Sequence, residues 1–394
     1  MTEKQCVELR IGKFQEKLRE KNIDIAVVTK PVNVYHFSLF NPVVQSMMSF
    51  MVIPREGEVQ LLLHALRGPH AQAESPIQNI CCYAKWSDTP SLANDPFDAL
   101  KMVINSYKLS NPAIGAELAS LSFTDYNKMK ARTGVDRLAD ISDLISAQKL
   151  IKDDLAIERL RMAANLANDG MDTMIESLRS GATEIEASNA AVLKVLDVWR
   201  KKYPQYELCG FGTNEEHVTM SLPIGCSSGA RAAFGADAPH DYTPQRGELT
   251  LPIVITTIGG YSIENERSLY VGDLDDYKMS IFKTVIEART KALEKIKPGT
   301  TFAEVFEAAE EVFNARGFGK FMPGRIGHGI GLSLHEWPSV AKGSDMKLES
   351  GMVFTIEPGL MSTSFGGVRP SDTVLVTENG YENLTYTENG ILKI

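Results

Sequence analysis

Gly327-His328-Gly329-Ile330-Gly331-Leu332-Ser333-Leu334-His335-Glu336-Trp337-Pro338, followed further on by Phe354-Thr355-Ile356-Glu357-Pro358-Gly359, is the stretch on which the reading of this chain turns. It sets two histidines and a glutamate, all able to ligate metals or move protons, on short segments bounded by glycine and proline. Glycine lets backbones approach closely, and proline fixes turns that hold polar side chains in a cleft. The pattern is that of an active site built on turn-bounded segments.

The rest of the chain frames that site. With 394 residues, 43 % of them hydrophobic, it is long enough for two domains with separate cores. A net charge of −9 and no block of Lys or Arg argue against nucleic acid and anionic membranes as partners, since both depend on clustered positive charge. Five cysteines with neither metal-ligand spacing nor a disulfide framework fit a reducing cytoplasm. The N-terminus lacks the apolar core of a signal peptide, and no apolar run approaches the roughly 20 residues that span a bilayer. A cytoplasmic protein acting on a small molecule is expected.

Periodicity places a helix over 8–21 and a buried strand at 25–28, then strands near 49–53, 59–63 and 113–116 and a helix near 96–106. These make an α/β domain over residues 1–150. Lys152-Asp153-Asp154 opens a long helix with acidic residues in its first turn, as the helix dipole favours. Over 151–394, helices are expected near 155–179, 184–200, 274–295 and 302–316. Strands are expected near 249–258, 260–271, 352–358 and 372–377.

Gly-His-Gly-Ile-Gly-Leu, His-Glu-x-Pro, Met-Val-Phe-Thr-Ile-Glu-Pro-Gly and Gly-Gly-Val-Arg-x-x-Asp-Thr-Val-Leu-Val-Thr, in that order, resemble the pita-bread superfamily of methionine aminopeptidase, aminopeptidase P, prolidase and creatinase. Asn33-Val34-Tyr35-His36-Phe37-Ser38 is similar to creatinase and prolidase in the N-terminal half. The resemblance implies an α+β pita-bread domain over 151–394, after a creatinase-like N-terminal α/β domain, and a homodimer. In the metal-dependent branch two ions share two aspartates, one histidine and two glutamates. Here Ile253 stands at the first aspartate and Glu264 at the second, while His328 and Glu357 are retained and Ser371 replaces the bridging glutamate. A dinuclear site is therefore not expected.

The same alignment sets Glu266 at the position of the catalytic glutamate of creatinase, the branch that lost its metals. That resemblance implies a histidine moving protons while carboxylates hold a cationic nitrogen group. His240 is the nearest match for the histidine, with His217 as the other candidate; strict spacing lands on Ala236. His328 and His335 would be neighbouring donors. Glu264, by strand alternation, shares a face with Glu266. Gln45 and Met47 fall where creatinase clamps its substrate's carboxylate, so a less anionic substrate is expected. The reading is a creatinase-like, metal-independent hydrolase of a non-peptide C–N bond in a small nitrogenous compound, with His240, Glu266, Glu357, His328 and His335 catalytic, Glu264, Gln45 and Met47 binding substrate, and no cofactor or metal. Two alternatives stay open: an Xaa-Pro dipeptidase-like enzyme with one ion on Glu264, His328 and Glu357, and an inactive pita-bread binding module. The bland reading of Glu266 is an ion pair with neighbouring Arg267, and that of His335 a core histidine.

Overall fold

The run Ile25–Val28 (β1) is buried at every position, which requires a sheet covered on both faces. The structure, a computed structural model describing residues 1–42, 47–135, 138–208, 223–385 and 392–394, supplies that cover. Helix Glu3–Glu20 (α1) precedes β1. After it come Pro31–Ser38 (α2), Phe50–Pro54 (β2), Gln60–His64 (β3), Gly68–Glu74 (α3), Ile80–Tyr83 (β4), Pro96–Ser106 (α4), Ile114–Ala116 (β5), Phe123–Thr133 (α5), Leu138–Asp140 (β6) and Ser142–Leu150 (α6). The strands form one mixed sheet in the order β4-β3-β2-β1-β5-β6. Alternate side chains serve opposite faces: Ala26 and Val28 pack with Phe14 and Leu18 of α1, and Ile25 and Val27 with Phe97, Leu100 and Val103 of α4.

Among the described residues the chain divides into two compact units, Met1–Lys149 and the residues from Leu150 onward. The second unit begins with Asp154–Arg179 (α7), whose N-cap Asp153 accepts the Ala156 N–H, and Glu184–Lys202 (α8), opened by a reciprocal Thr183–Glu186 cap. Then come Ile224–Ser228 (β7), Leu249–Ile258 (β8), Tyr261–Glu266 (β9), Leu269–Tyr270 (β10), Asp276–Glu294 (α9) and Phe302–Ala315 (α10). The last part holds Arg325–Gly329 (β11), Glu336–Ala341 (β12), Val353–Ile356 (β13), Leu360–Ser362 (β14), Gly366–Val368 (β15), Asp372–Thr377 (β16), Gly380–Asn383 (β17) and Leu392–Lys393 (β18). One sheet runs β18-β10-β8-β7 with β9 also on β8, and another runs β12-β11-β13-β16-β17. A bridge between Glu266 and Ser371 joins the two, through N–H···O contacts of 3.2 and 3.0 Å. α9 and α10 close the core with Phe282, Phe302, Phe306 and Phe313 against Phe354, Ile356 and Val374. Among the described residues no helix is long and apolar enough to cross a membrane.

One expectation is corrected by this architecture. The strand expected over 260–271 is split, because Arg267 lies opposite Pro252, which accepts the Arg267 N–H at 3.1 Å but has no N–H to return. The two ends of the 327–338 stretch are short antiparallel strands, β11 and β12, around a tight loop. Glycine disfavours strands locally, and pairing with β13 overrides that preference.

Candidate active site

The β8–β9 hairpin fixes the floor of a cleft. Its register sets Ile253 opposite Glu266 and Ile255 opposite Glu264, and all four line one cavity of about 410 Å³. Period-two alternation explains why both glutamates face it. Glu357 enters from just beyond β13, Arg369 from just beyond β15 and His335 from the β11–β12 loop. Leu334, Met361, Phe321 and Phe234 give the cavity apolar walls.

His328 sits on β11 behind this floor and is almost wholly buried, at 1 % exposure. Its strand comes close to β13: a Cβ on neighbouring Gly327 would lie 2.0 Å from the Thr355 carbonyl oxygen, so only glycine fits there. The His328 N–H donates to Thr355 Oγ1 at 3.1 Å, and its ring Nδ1 lies 3.0 Å from the Gly329 carbonyl, which can only accept. Nε2 is thereby aimed at two carboxylates, 3.7 Å from Glu264 Oε2 and 3.5 Å from Glu357 Oε1. The Ser371 hydroxyl donates to the other oxygen of Glu264, Oε1, at 2.7 Å. His335 is exposed at the cleft, its ring edge-on to His328 with centroids 4.2 Å apart.

The electrostatics follow from burial and crowding. Burial works to raise the Glu264 carboxyl, but His328, Arg369 and the Ser371 hydroxyl outweigh it and hold Glu264 at about 2. Burial lowers His328, yet Glu264 and Glu357 bring it above its usual value. Glu357 is raised, by burial and then by the Glu264 charge. Burial raises Glu266 as well, against the pull of Arg369, whose fork reaches both carboxylate oxygens at 2.6 and 2.7 Å.

Oxygen and nitrogen donors that converge in this way fit a metal ion. Glu264, His328 and His335 offer ligand atoms within 4.8 Å of one another, as do Glu264, Glu266 and Glu357. In a tetrahedral site with bonds of about 2.0–2.2 Å, ligand atoms stand about 3.3–3.5 Å apart. The spacings of 3.5 and 3.7 Å around His328 Nε2 are close to that. A ligating histidine characteristically gives its other ring N–H to a carbonyl, the part Gly329 plays here.

The chain matches metallopeptidase family M24 over residues 158–378 and the creatinase/prolidase N-terminal domain over residues 10–151. It belongs to metallopeptidase family M24. This M24 chain is 28 % identical to the Xaa-Pro dipeptidase of Pyrococcus furiosus, across 97 % of its own length and 99 % of the relative's. Among solved structures it is similar to the prolidase from Pyrococcus horikoshii OT3, with 25 % identity, a TM-score of 0.80 and coverage of 98 % of this chain and 100 % of that one. It is also similar to the prolidase from Pyrococcus furiosus, with 28 % identity, a TM-score of 0.77 and coverage of 95 % and 99 %. The expected architecture, an α/β N-terminal domain and an α+β pita-bread domain, stands. The expected metal-independent, creatinase-like hydrolysis of a non-peptide C–N bond does not: the relatives are named as Xaa-Pro dipeptidases and prolidases.

The structure gathers Glu264, Glu266, His328, His335 and Glu357 around one cleft. It does not bring His240 there. His240 is exposed, and its segment is held elsewhere by buried Glu184, whose Oε2 accepts the His240 N–H at 2.9 Å and Arg231 Nη1 at 2.8 Å. Ala236, where strict spacing had pointed, lines the cavity instead. The Glu266 carboxylate is held by Arg369, while Arg267 serves Asp372 and the carbonyls of Glu266, Ser371 and Thr385. Met47 lines a cavity of about 240 Å³ within the first unit, beside Phe40, Pro42 and Met48. Gln45 and His217 lie outside the described residues. Sequence reasoning missed Arg369, although it stood in the quoted Gly-Gly-Val-Arg motif.

Proposed function

We propose that this chain is a peptidase of small peptides, Xaa-Pro dipeptides first among them, using one divalent ion held by Glu264, His328 and Glu357. The observation that carries the reading is the convergence of two buried carboxylate oxygens on His328 Nε2 at 3.5 and 3.7 Å. The names of the relatives support the substrate class. A bound divalent ion would supply Lewis-acid polarisation of a carbonyl and a more acidic water.

The residues of the chain do the rest. Ser371 ties one oxygen of Glu264 and so leaves the other pointing at His328. The Gly329 carbonyl orients the His328 ring. Ile253, Ile255, Leu334 and Met361 exclude water around the reacting bond and suit an apolar pyrrolidine ring. Arg325, exposed on the cavity lining, takes the carboxylate end of the substrate. His335, beside His328 and open to the cleft, hands a proton to the leaving nitrogen.

The test is proline release from a panel of Xaa-Pro dipeptides, with Ala-Ala and creatine as controls, by protein stripped with chelator and reloaded with Mn²⁺ or Co²⁺. Ion-dependent release of proline is expected. Folded protein that releases no proline with any ion would sink the reading.

A further inference from the structure

We propose that Arg369 stands in for a second cation, its ion pair with Glu266 limiting this cleft to one divalent ion. The inference rests on the reading of Glu264, His328 and Glu357 as a cation site.

Ligand atoms of Glu264, Glu266 and Glu357 lie within 4.8 Å of one another, and all three residues are buried. Three carboxylates that close in a low-dielectric site repel one another unless cations compensate them. Arg369 supplies one such charge and is locked in place. Its Nη2 donates to Glu266 Oε1 at 2.6 Å and to the Gly235 carbonyl at 3.0 Å, and its Nε donates to Glu266 Oε2 at 2.7 Å. Its backbone N–H donates to Ser268 Oγ at 2.8 Å, and Nε stands 3.6 Å from Glu357 Oε2. The stem crosses Gly359 so closely that a Cβ there would lie 2.8 Å from Arg369 Cβ and Cγ. A planar fork matched to both carboxylate oxygens is the strongest form of such a pair.

The charge balance then closes on a single ion. Arg369 neutralises Glu266, and the two negative charges left, Glu264 and Glu357, match one divalent cation beside a neutral His328. Away from the donors around His328, a second ion would have to draw on Glu266, both of whose oxygens are engaged, while β8 presents Ile253 and Ile255 and the Ser371 hydroxyl is committed to Glu264.

The experiment counts ions. Chelator-stripped protein is titrated with Co²⁺ alone, and bound cobalt per chain is measured by absorption and elemental analysis, with circular dichroism as the check of folding. Wild type should saturate at one ion per chain. Arg369→Met frees the Glu266 carboxylate and should take up more than one ion, whereas Arg369→Lys and the double variant Glu266→Gln/Arg369→Met should return to one. Should Arg369→Met not fold, Glu266→Gln alone takes away the guanidinium's bidentate partner, leaves its charge to Glu357 and Glu264, and should weaken cobalt binding by about 10-fold or more. Two ions in wild type, or unchanged binding in folded Arg369→Met or Glu266→Gln, overturns the role of the pair and leaves the cation site standing. A wild type that binds no ion overturns both.

Discussion

Two clusters of buried charge lie on either side of the Glu266–Ser371 bridge, and they are finished to different degrees. On one side Asp372 is fully buried between Arg267, at 3.3 Å, and Arg289, with Asn383 Nδ2 donating at 3.0 Å. On the other side Glu264 and Glu357 approach His328 at 3.7 and 3.5 Å, too far for hydrogen bonds, around a cavity open to small molecules. A charge cluster closed by protein partners serves the fold. One whose ligand atoms converge without closing is built around something else. The contrast separates structure from function within a few residues of the same strands.

The largest effect is expected in the closed cluster. Asp372→Ala removes the carboxylate shared by two buried guanidinium groups and should lower stability by about 3–5 kcal/mol, read from denaturant midpoints. Acid should show the same weakness in wild type. Burial raises the Asp372 carboxyl, but Arg267 and Arg289 outweigh it and hold it below the ordinary 3.8. A carboxyl depressed by folding contributes stability that is full above the unfolded value and lost as pH falls toward the folded one. The loss attributable to Asp372 should therefore appear below about pH 4 and be absent from Asp372→Ala.

In the open cluster the order reverses, with activity suffering more than stability. His328→Ala should reduce ion-dependent activity by about 100-fold or more, with a thermal midpoint lowered far less than by Asp372→Ala. Ser371→Ala removes only the hydroxyl that steadies Glu264 and should cost about 10-fold in ion affinity. At the small end, His240→Ala should change activity by no more than about 2-fold, because His240 is exposed and its backbone alone is used by Glu184. A large loss in His240→Ala would break the assignment of the site to the cleft.

What was legible in the sequence is what depends on local pattern. The strands at 25–28 and 249–258 and the helices opened by Asp153 and Thr183 carry their own period and caps, and the structure keeps them. The shared face of Glu264 and Glu266 also followed from alternation alone. What was not legible depends on residues far apart in the chain. Arg369 reaches Glu266 across 103 positions, and Glu184 fixes the His240 segment across 56. Motif counting noted that Ile253 and Ser371 are not ligands and so turned to metal-free chemistry. Spacing along the chain does not reveal that carboxylate oxygens of Glu264 and Glu357 both approach His328 Nε2, at 3.7 and 3.5 Å.

A single divalent ion on Glu264, His328 and Glu357 would be seen in anomalous diffraction from crystals grown with Co²⁺. One cobalt peak per chain is expected, bounded by Glu264 Oε2, His328 Nε2 and Glu357 Oε1, with Arg369 still forked onto Glu266. Two peaks, no peak, or a peak on Glu266 with Arg369 displaced would contradict it.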